Sequence, residues 1–286
     1  MHSSPDPVLR GVTHDGAFRV IVADTTHTTQ GVVAAQGCDP HTARALAELT
    51  TATVLFREAM SPDLRVQMLL KGTGDTGVLV ADSAPEGMTR GLVQRAQGAT
   101  PAPFQVGPGS RLQLMRTLRT GQLAQGVVEL VSERIADGVM LYMHRSEQIN
   151  TMVGLGTHFE DGRLVHAGGY MVQALPEAQP GPLMVMSERL ADFVAIDALV
   201  GDARFEPRWL LDELLYAMPY TLTGDSTVRY ACWCSESRLL GALATLERNV
   251  IQEMVAEGTP LDIGCDYCGK RYQIAPSKLT GLLSPQ

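Results

Sequence analysis

Two short cysteine pairs near the C-terminus constrain this chain more than any other feature: Cys232-Trp233-Cys234 and, after thirty intervening residues, Cys265-Asp266-Tyr267-Cys268. Thiolates at such spacings supply two ligands per pair to a tetrahedral ion, and four of them close the coordination sphere of one Zn2+. In Cys265-x-x-Cys268-Gly269-Lys270 the glycine permits a tight turn with backbone N–H groups aimed at sulfur, the form of a zinc knuckle. Cys232-x-Cys234 puts both side chains on one side of an extended segment. No histidine lies near the four cysteines in sequence, so an all-sulfur site is the simplest reading. Four thiolates leave no open position for a substrate, which disfavours an enzyme using zinc as a Lewis acid. On the motif alone, a structural zinc that folds the last 58 residues is the plainer reading. A redox switch is the sharper one. Zinc keeps thiolates deprotonated and hence oxidisable, and the two spacings bring sulfurs close enough for local disulfides, Cys232–Cys234 and Cys265–Cys268.

The rest of the chain need not depend on a metal. It has 286 residues, 45% of them hydrophobic, enough for a large core. The formal net charge is −8, while residues 229–286 carry six basic and six acidic groups, so the negative excess lies upstream. Neither part offers the basic stripe that phosphate neutralisation requires, and nucleic acid is not an expected partner. Five cysteines with four clustered do not form a secreted disulfide framework; they fit a reducing, cytoplasmic setting. The polar start Met1-His2-Ser3-Ser4-Pro5-Asp6-Pro7 does not read as a secretory signal, and no apolar run reaches membrane-spanning length.

The periodicities predict an α/β (α+β) N-terminal core domain over residues 1–178, a helical linker region over 179–226 and a small C-terminal zinc-binding domain with four cysteine ligands over 227–286. In the first, Phe18–Val22 alternates as a strand. Asp39-Pro40 caps and opens a helix through Ala43, Leu46, Leu49 and Val54. Leu64–Leu70 and Val78–Ala81 read as strands joined by the turn Gly72-Thr73-Gly74-Asp75-Thr76-Gly77. Leu112–Leu118 and Gly126–Val131 are further strands, Ser132–Gln148 a helix, and Thr151–Phe159 with Arg163–Leu175 a closing pair. Three prolines and a glycine in Pro176–Pro182 mark the boundary. Beyond it, Ser187 is read as the cap of a helix carrying Leu190, Phe193, Val194 and Val200. Pro207 opens another that carries Trp209, Leu210, Leu211, Leu214, Leu215 and Met218. In the last unit, Thr227–Trp233 is a short strand, and a helix of about twenty residues follows Cys234.

Other chemical candidates are weaker. Cys38 precedes a helix start whose dipole could lower its pKa, although a lone cysteine is ordinarily inert. The glycine-rich turn at Gly72–Gly77 lacks the Lys-Ser/Thr of a phosphate loop. Ser146-Glu147-Gln148 reads as a helix end and not as a catalytic acid. There is no G-x-S-x-G elbow.

Joined together, these features resemble a known family, the redox-regulated heat-shock chaperones of the 33 kDa class. The likeness is carried by Cys232-Trp233-Cys234-Ser235 with Cys265-Asp266-Tyr267-Cys268-Gly269-Lys270-Arg271-Tyr272. Arg10-Gly11, Ser146-Glu147-Gln148 and Ala167-Gly168-Gly169-Tyr170-Met171-Val172-Gln173-Ala174-Leu175-Pro176 add to it. Ile149-Asn150 stands where the family usually has proline, and Met143 where it has an aromatic. The resemblance implies a cytosolic, ATP-independent holdase that is not an enzyme. Reduced, it holds one zinc and is inactive. Oxidation and unfolding stress release zinc, form two disulfides and loosen the linker, so that surface including Trp209, Leu210, Leu211, Leu214 and Leu215 binds unfolded clients, with a homodimer forming on activation. The alternative is a constitutive structural-zinc module that engages a protein or nucleic-acid partner.

Overall fold

The computed structural model describes residues 5–60, 62–95, 102–193 and 196–283. Met1–Ser4 and Val194, included in the readings above, lie outside them. The chain divides into two compact units, Met1–Ala231 and Cys232–Gln286.

In chain order the first unit comprises β1 (Asp6–Thr13), β2 (Phe18–Asp24), α1 (Thr26–Gln36), α2 (Pro40–Met60), β3 (Val66–Lys71), β4 (Val78–Ser83), β5 (Met88–Gln94), β6 (Arg111–Thr117), β7 (Leu123–Glu129), α3 (Ile135–Tyr142), β8 (Thr151–Glu160), β9 (Arg163–Ala174), α4 (Pro180–Ala191), α5 (Ile196–Val200), α6 (Pro207–Leu214) and β10 (Tyr220–Tyr230). The strands form one ten-stranded sheet in the order β7-β6-β3-β4-β5-β10-β1-β2-β9-β8. Two antiparallel groups are joined through β10, which runs antiparallel to β1 and makes a short parallel pairing with β5 at Arg229–Met88 and Tyr230–Thr89. The mixed α/β architecture is therefore the expected one, as is the hairpin over Gly72–Gly77, where Gly74 and Gly77 adopt positive φ.

Helices cover both faces of the sheet near β2, and this explains the unbroken apolar run Val20-Ile21-Val22-Ala23. Ile21 and Ala23 pack with Leu46, Leu49, Leu55 and Phe56 in the main core. Phe18, Val20 and Val22 face the other way, where Tyr170, Val172, Met186, Leu190, Leu210, Leu211, Leu214 and Leu215 form a second cluster. Helices α4–α6 thus have a core of their own against the sheet. Gly168 fits the crowding there: a Cβ on it would run into the Phe205 ring. α2 starts as its sequence predicts, with Asp39 Oδ1 accepting from the Thr42 N–H at 3.0 Å.

A charged network is buried beneath β10. Glu58 accepts hydrogen bonds from Arg10, Arg57 and Ser226, the last at 2.9 Å, and Arg57 also donates to the Ala84 carbonyl. Both Arg57 and Glu58 are almost wholly enclosed.

Several sequence expectations need correction. Ser187 is not a cap: it lies inside α4, donating to the Leu183 carbonyl at 2.8 Å, and the helix opens at Pro180. The prolines read as breakers include a first-turn proline. α6 ends at Leu214, short of Met218. The helix expected over 132–148 is α3 followed by a π-helical turn, Met143–Glu147, closed by Gln148 in the left-handed region. β1, α1 and β5 carry no strong local signal, and the strand expected at Thr227–Trp233 is the end of the longer β10.

Candidate metal centre

The second unit contains α7 (Glu236–Leu243), α8 (Arg248–Ala256), β11 (Leu261–Gly264), β12 (Arg271–Ile274) and α9 (Pro276–Leu282). Two helices replace the single twenty-residue one expected. The first ends near Ala244, and the polar Glu247 stands at the start of the second. Ser235, directly after Cys234, caps α7 by accepting from the Arg238 N–H at 3.2 Å. The cap fixes the exit of the C-x-C segment.

The other pair sits on the β11–β12 hairpin, whose register runs from Leu261↔Ile274 to Gly264↔Arg271. Within the knuckle the Cys265 N–H donates to the Lys270 carbonyl at 2.9 Å, and the Gly269 N–H donates to the Cys265 carbonyl at 2.7 Å. Gly269 has φ of 71°, a conformation that glycine adopts without steric cost. Asp262 and Arg271 pair across the hairpin, and Glu236 pairs with Lys278.

These elements bring all four predicted cysteines together. Their Sγ atoms lie within 4.8 Å of one another, and no other cluster of three or more potential ligands occurs among the described residues. Cys232 and Cys265 sulfurs are 3.7 Å apart, and those of Cys234 and Cys268 are 3.5 Å apart. A tetrahedron with metal–sulfur bonds of ~2.3 Å has edges of ~3.8 Å, so the spacing and the donor set fit a thiolate-bound ion. Cys265 is the most enclosed at 9% exposure and the other three are half-buried.

The electrostatics are those of a site waiting for positive charge. Burial pushes the Cys234 thiol up, but the Tyr272 hydroxyl and the neighbouring thiols outweigh it and bring it down to about 7. Burial and then the Cys234 sulfur drive Cys268 up to about 12, and Cys265 is also raised. A cation bound among these sulfurs would favour their ionised form. In the sequence Tyr272 is no more than the aromatic after the knuckle. Its hydroxyl contacts the Cys234 carbonyl oxygen at 3.0 Å and the sulfur at 3.1 Å. Sequence spacing gives no hint of that contact.

The remaining candidates lie elsewhere. Trp209 is half-buried with the Arg204 guanidinium 5.0 Å from its ring centre. Leu210, Leu211, Leu214 and Leu215 are buried in the second cluster of the first unit. Cys38 packs partly against the main core, and burial raises its pKa, contrary to the lowering that a helix start could give. Glu147 closes its helix by pairing with Arg116 at 2.9 Å. No helix among the described residues is long and apolar enough to cross a membrane.

Comparison with known proteins agrees along nearly the whole length. A 33 kDa chaperonin of Syntrophotalea carbinolica is 30% identical over 98% of this chain and 99% of its own. The 33 kDa chaperonin of Bacillus subtilis is 27% identical over 97% and 98%. The crystal structure of a 33 kDa chaperonin, a heat shock protein 33 homologue from Thermotoga maritima, shares the fold with a TM-score of 0.81, covering 97% of each chain at 21% identity. Residues 6–275 match the family described as Hsp33 protein, and with the four cysteines gathered as above, the chain belongs to that family.

Proposed function

We propose that this protein is a redox-regulated, ATP-independent holdase whose four cysteines carry one Zn2+ in the resting, reduced state. Its place in a family of chaperones, and not of enzymes, is the starting point. The observation that carries the switch is the packing of four thiols within 4.8 Å. That geometry suits a thiolate-bound ion, and it also leaves every sulfur within easy reach of a partner. Bound zinc supplies charge that holds the thiolates ionised and ready for oxidation.

Peroxide then takes electrons from sulfur. Four thiolates and four protons reduce two molecules of hydrogen peroxide to four waters, leaving two disulfides, Cys232–Cys234 and Cys265–Cys268. With its ligands gone the metal leaves, and the second unit loses the ion that folds it. Residues 179–226 then loosen, exposing the α6 surface of Trp209, Leu210, Leu211, Leu214 and Leu215 to unfolding polypeptides in the cytoplasm, and two activated chains associate.

Chromogenic zinc release during peroxide treatment at raised temperature, read beside light scattering from a denaturing client, tests this reading. The expected result is one zinc released per chain, two intramolecular disulfides by peptide mapping, and aggregation suppressed only after oxidation. Equal suppression by reduced and oxidised protein refutes the switch. Zinc retained through peroxide treatment makes the ion a constitutive structural one.

A further inference from the structure

Two adjoining cavities lie at the start of β8. The larger, of about 540 Å³, is lined by Phe18 and Val172 of the sheet and by Met140, Met152, Met186 and Leu190. The smaller, of about 390 Å³, is lined by Arg19, Gln148 and Gln173. Asn150, Ala174 and Leu183 belong to the walls of both, so the two meet there. Each volume is in the range of small-molecule sites, about 300–1,000 Å³. Every wall belongs to the first unit: β2, α3, the π-helical turn, β8, β9 and α4.

Their chemistry differs. The larger is apolar and rich in methionine, a side chain that adapts to irregular shapes. The smaller holds a cation without a counter-ion. Arg19 on β2 stands opposite Gln173 on β9. Its Nε donates to Gln173 Oε1 at 2.8 Å, its Nη2 donates to the same oxygen, and among the described residues it has no other partner. Arg19 is half-buried, and burial alone holds its pKa below the ordinary value. A guanidinium partly stripped of water is ordinarily paired. Gln173 is fully enclosed. Rotating its amide would turn the NH2 group toward the Arg19 donors, so the orientation is fixed. Nε2 is then a buried donor with no partner. Folded proteins leave few such groups. The unpaired cation and the orphan donor both lack an acceptor carrying one negative charge.

We propose that the joined cavities bind a small amphiphilic carboxylate, its head beside Arg19 and Gln173 and its hydrocarbon chain among Met140, Met152 and Met186. A carboxylate is planar with two acceptor oxygens, which suits a guanidinium whose Nη1 is free and an amide that still has a proton to give. A neutral lipid leaves the charge unmatched, and a phosphate dianion brings more charge than one guanidinium neutralises. The site also gives Gln148 and Gln173 a common place. They stand in Ser146-Glu147-Gln148 and Ala167–Pro176, two sequence motifs to which the metal centre assigns nothing. Because α4 supplies Leu183, Met186 and Leu190 to the walls, an occupant braces that helix on the sheet. Binding depends on neither metal nor oxidation; only its effect on activation rests on the holdase reading.

The test is an NMR titration of the full, reduced chain with sodium decanoate below its micellar concentration, beside 1-decanol, decyl phosphate and acetate. One decanoate per chain is expected, shifting the amides of Arg19, Asn150, Gln173 and Met186. If opening of α4 destroys the site, exchange of its amides should slow about tenfold at ten times Kd. Arg19→Met keeps the aliphatic stem and should weaken decanoate roughly tenfold to a hundredfold, leaving the weaker decanol binding unchanged. Met152→Asp, at a position 43% exposed, puts a negative charge beside the chain and should weaken decanoate with Arg19 intact. Decanol or decyl phosphate binding as tightly as decanoate overturns the proposal, as does unchanged affinity in Arg19→Met. Several equivalents bound per chain, the mark of adsorption to apolar surface, overturn it too. So do shifts at the same residues that grow with protein concentration alone, the mark of a second copy in the cavity. Decanoate held at Arg19 with no redox effect on aggregation sinks the switch and leaves the site standing; redox-dependent suppression without decanoate binding does the reverse.

Discussion

Leu211→Ala tests the proposal that burial of α6 keeps the reduced protein inactive as a chaperone. Leu211 is fully buried in the cluster that α4–α6 share with β2 and β9, and α6 packs against β1 and β2. Truncating a core leucine costs about 2–5 kcal/mol, as transfer energy plus residual cavity. If the α4–α6 layer opens as a unit, its opening equilibrium rises by roughly thirty-fold to several thousand-fold, at ~1.4 kcal/mol per decade. Two measurements on the reduced, zinc-loaded variant read this out: amide exchange over Leu210–Leu215, and light scattering of a denaturing client. The expected result is exchange faster by that factor, together with partial suppression of aggregation without any oxidant. Trp209→Ala, at a half-buried position, should loosen the layer less. If exchange accelerates as calculated and the reduced variant still fails to protect the client, exposure of α6 is not the event that activates the protein.

Three further outcomes follow from particular residues. Glu58→Gln leaves Arg10 and Arg57 without their shared carboxylate; breaking such a buried pair costs about 3–5 kcal/mol, visible as a lower urea midpoint with an unchanged slope. Burial, helped by the Asp197 carboxylate, raises Glu48 from 4.5 to about 7. Because the folded form holds this proton more tightly, stability should fall as pH rises from about 4.5 to 7, by on the order of 3 kcal/mol from this group, and thermal melts of Glu48→Gln should lack that slope. Cys268→Ser removes one of the four clustered sulfurs and should weaken zinc binding by at least about tenfold in competition with a chromogenic chelator; unchanged affinity would place the ion elsewhere.

What the sequence made legible was local. The Asp39 cap, the Gly72–Gly77 turn, the β8–β9 pair and the cysteine spacing all announce themselves within a few residues, because each is stabilised by contacts along the chain. Elements held by distant partners did not. α1 reads Thr26-His27-Thr28-Thr29, poor helix formers, yet Asp6 on β1 accepts from the N–H groups of His27 at 3.1 Å and Thr28 at 2.7 Å, supplying a start signal from about twenty residues away. β10 is mostly polar from Thr221 to Thr227 and contains Gly224, so only its last residues read as a strand and nothing there marks its place between β5 and β1. At the candidate metal centre the cysteine cluster was readable and the Tyr272 contact was not, since a hydroxyl reaching a sulfur 38 positions away leaves no periodic trace.

The position of β10 has a consequence for how the protein is made. Its pairing with β1 joins Asp6 to Val228, and among the described residues the two halves of the sheet pair only through it. During synthesis, at about 5–20 residues per second, β1 and β2 emerge long before the strand that completes their neighbourhood. The nascent chain must hold two half-sheets with raw margins until Tyr220–Tyr230 clears the ribosome, and contacts of such long sequence separation form slowly. By chain order, the four clustered cysteines emerge only after β10. A protein of a chaperone family therefore spends its own infancy with exposed strand edges.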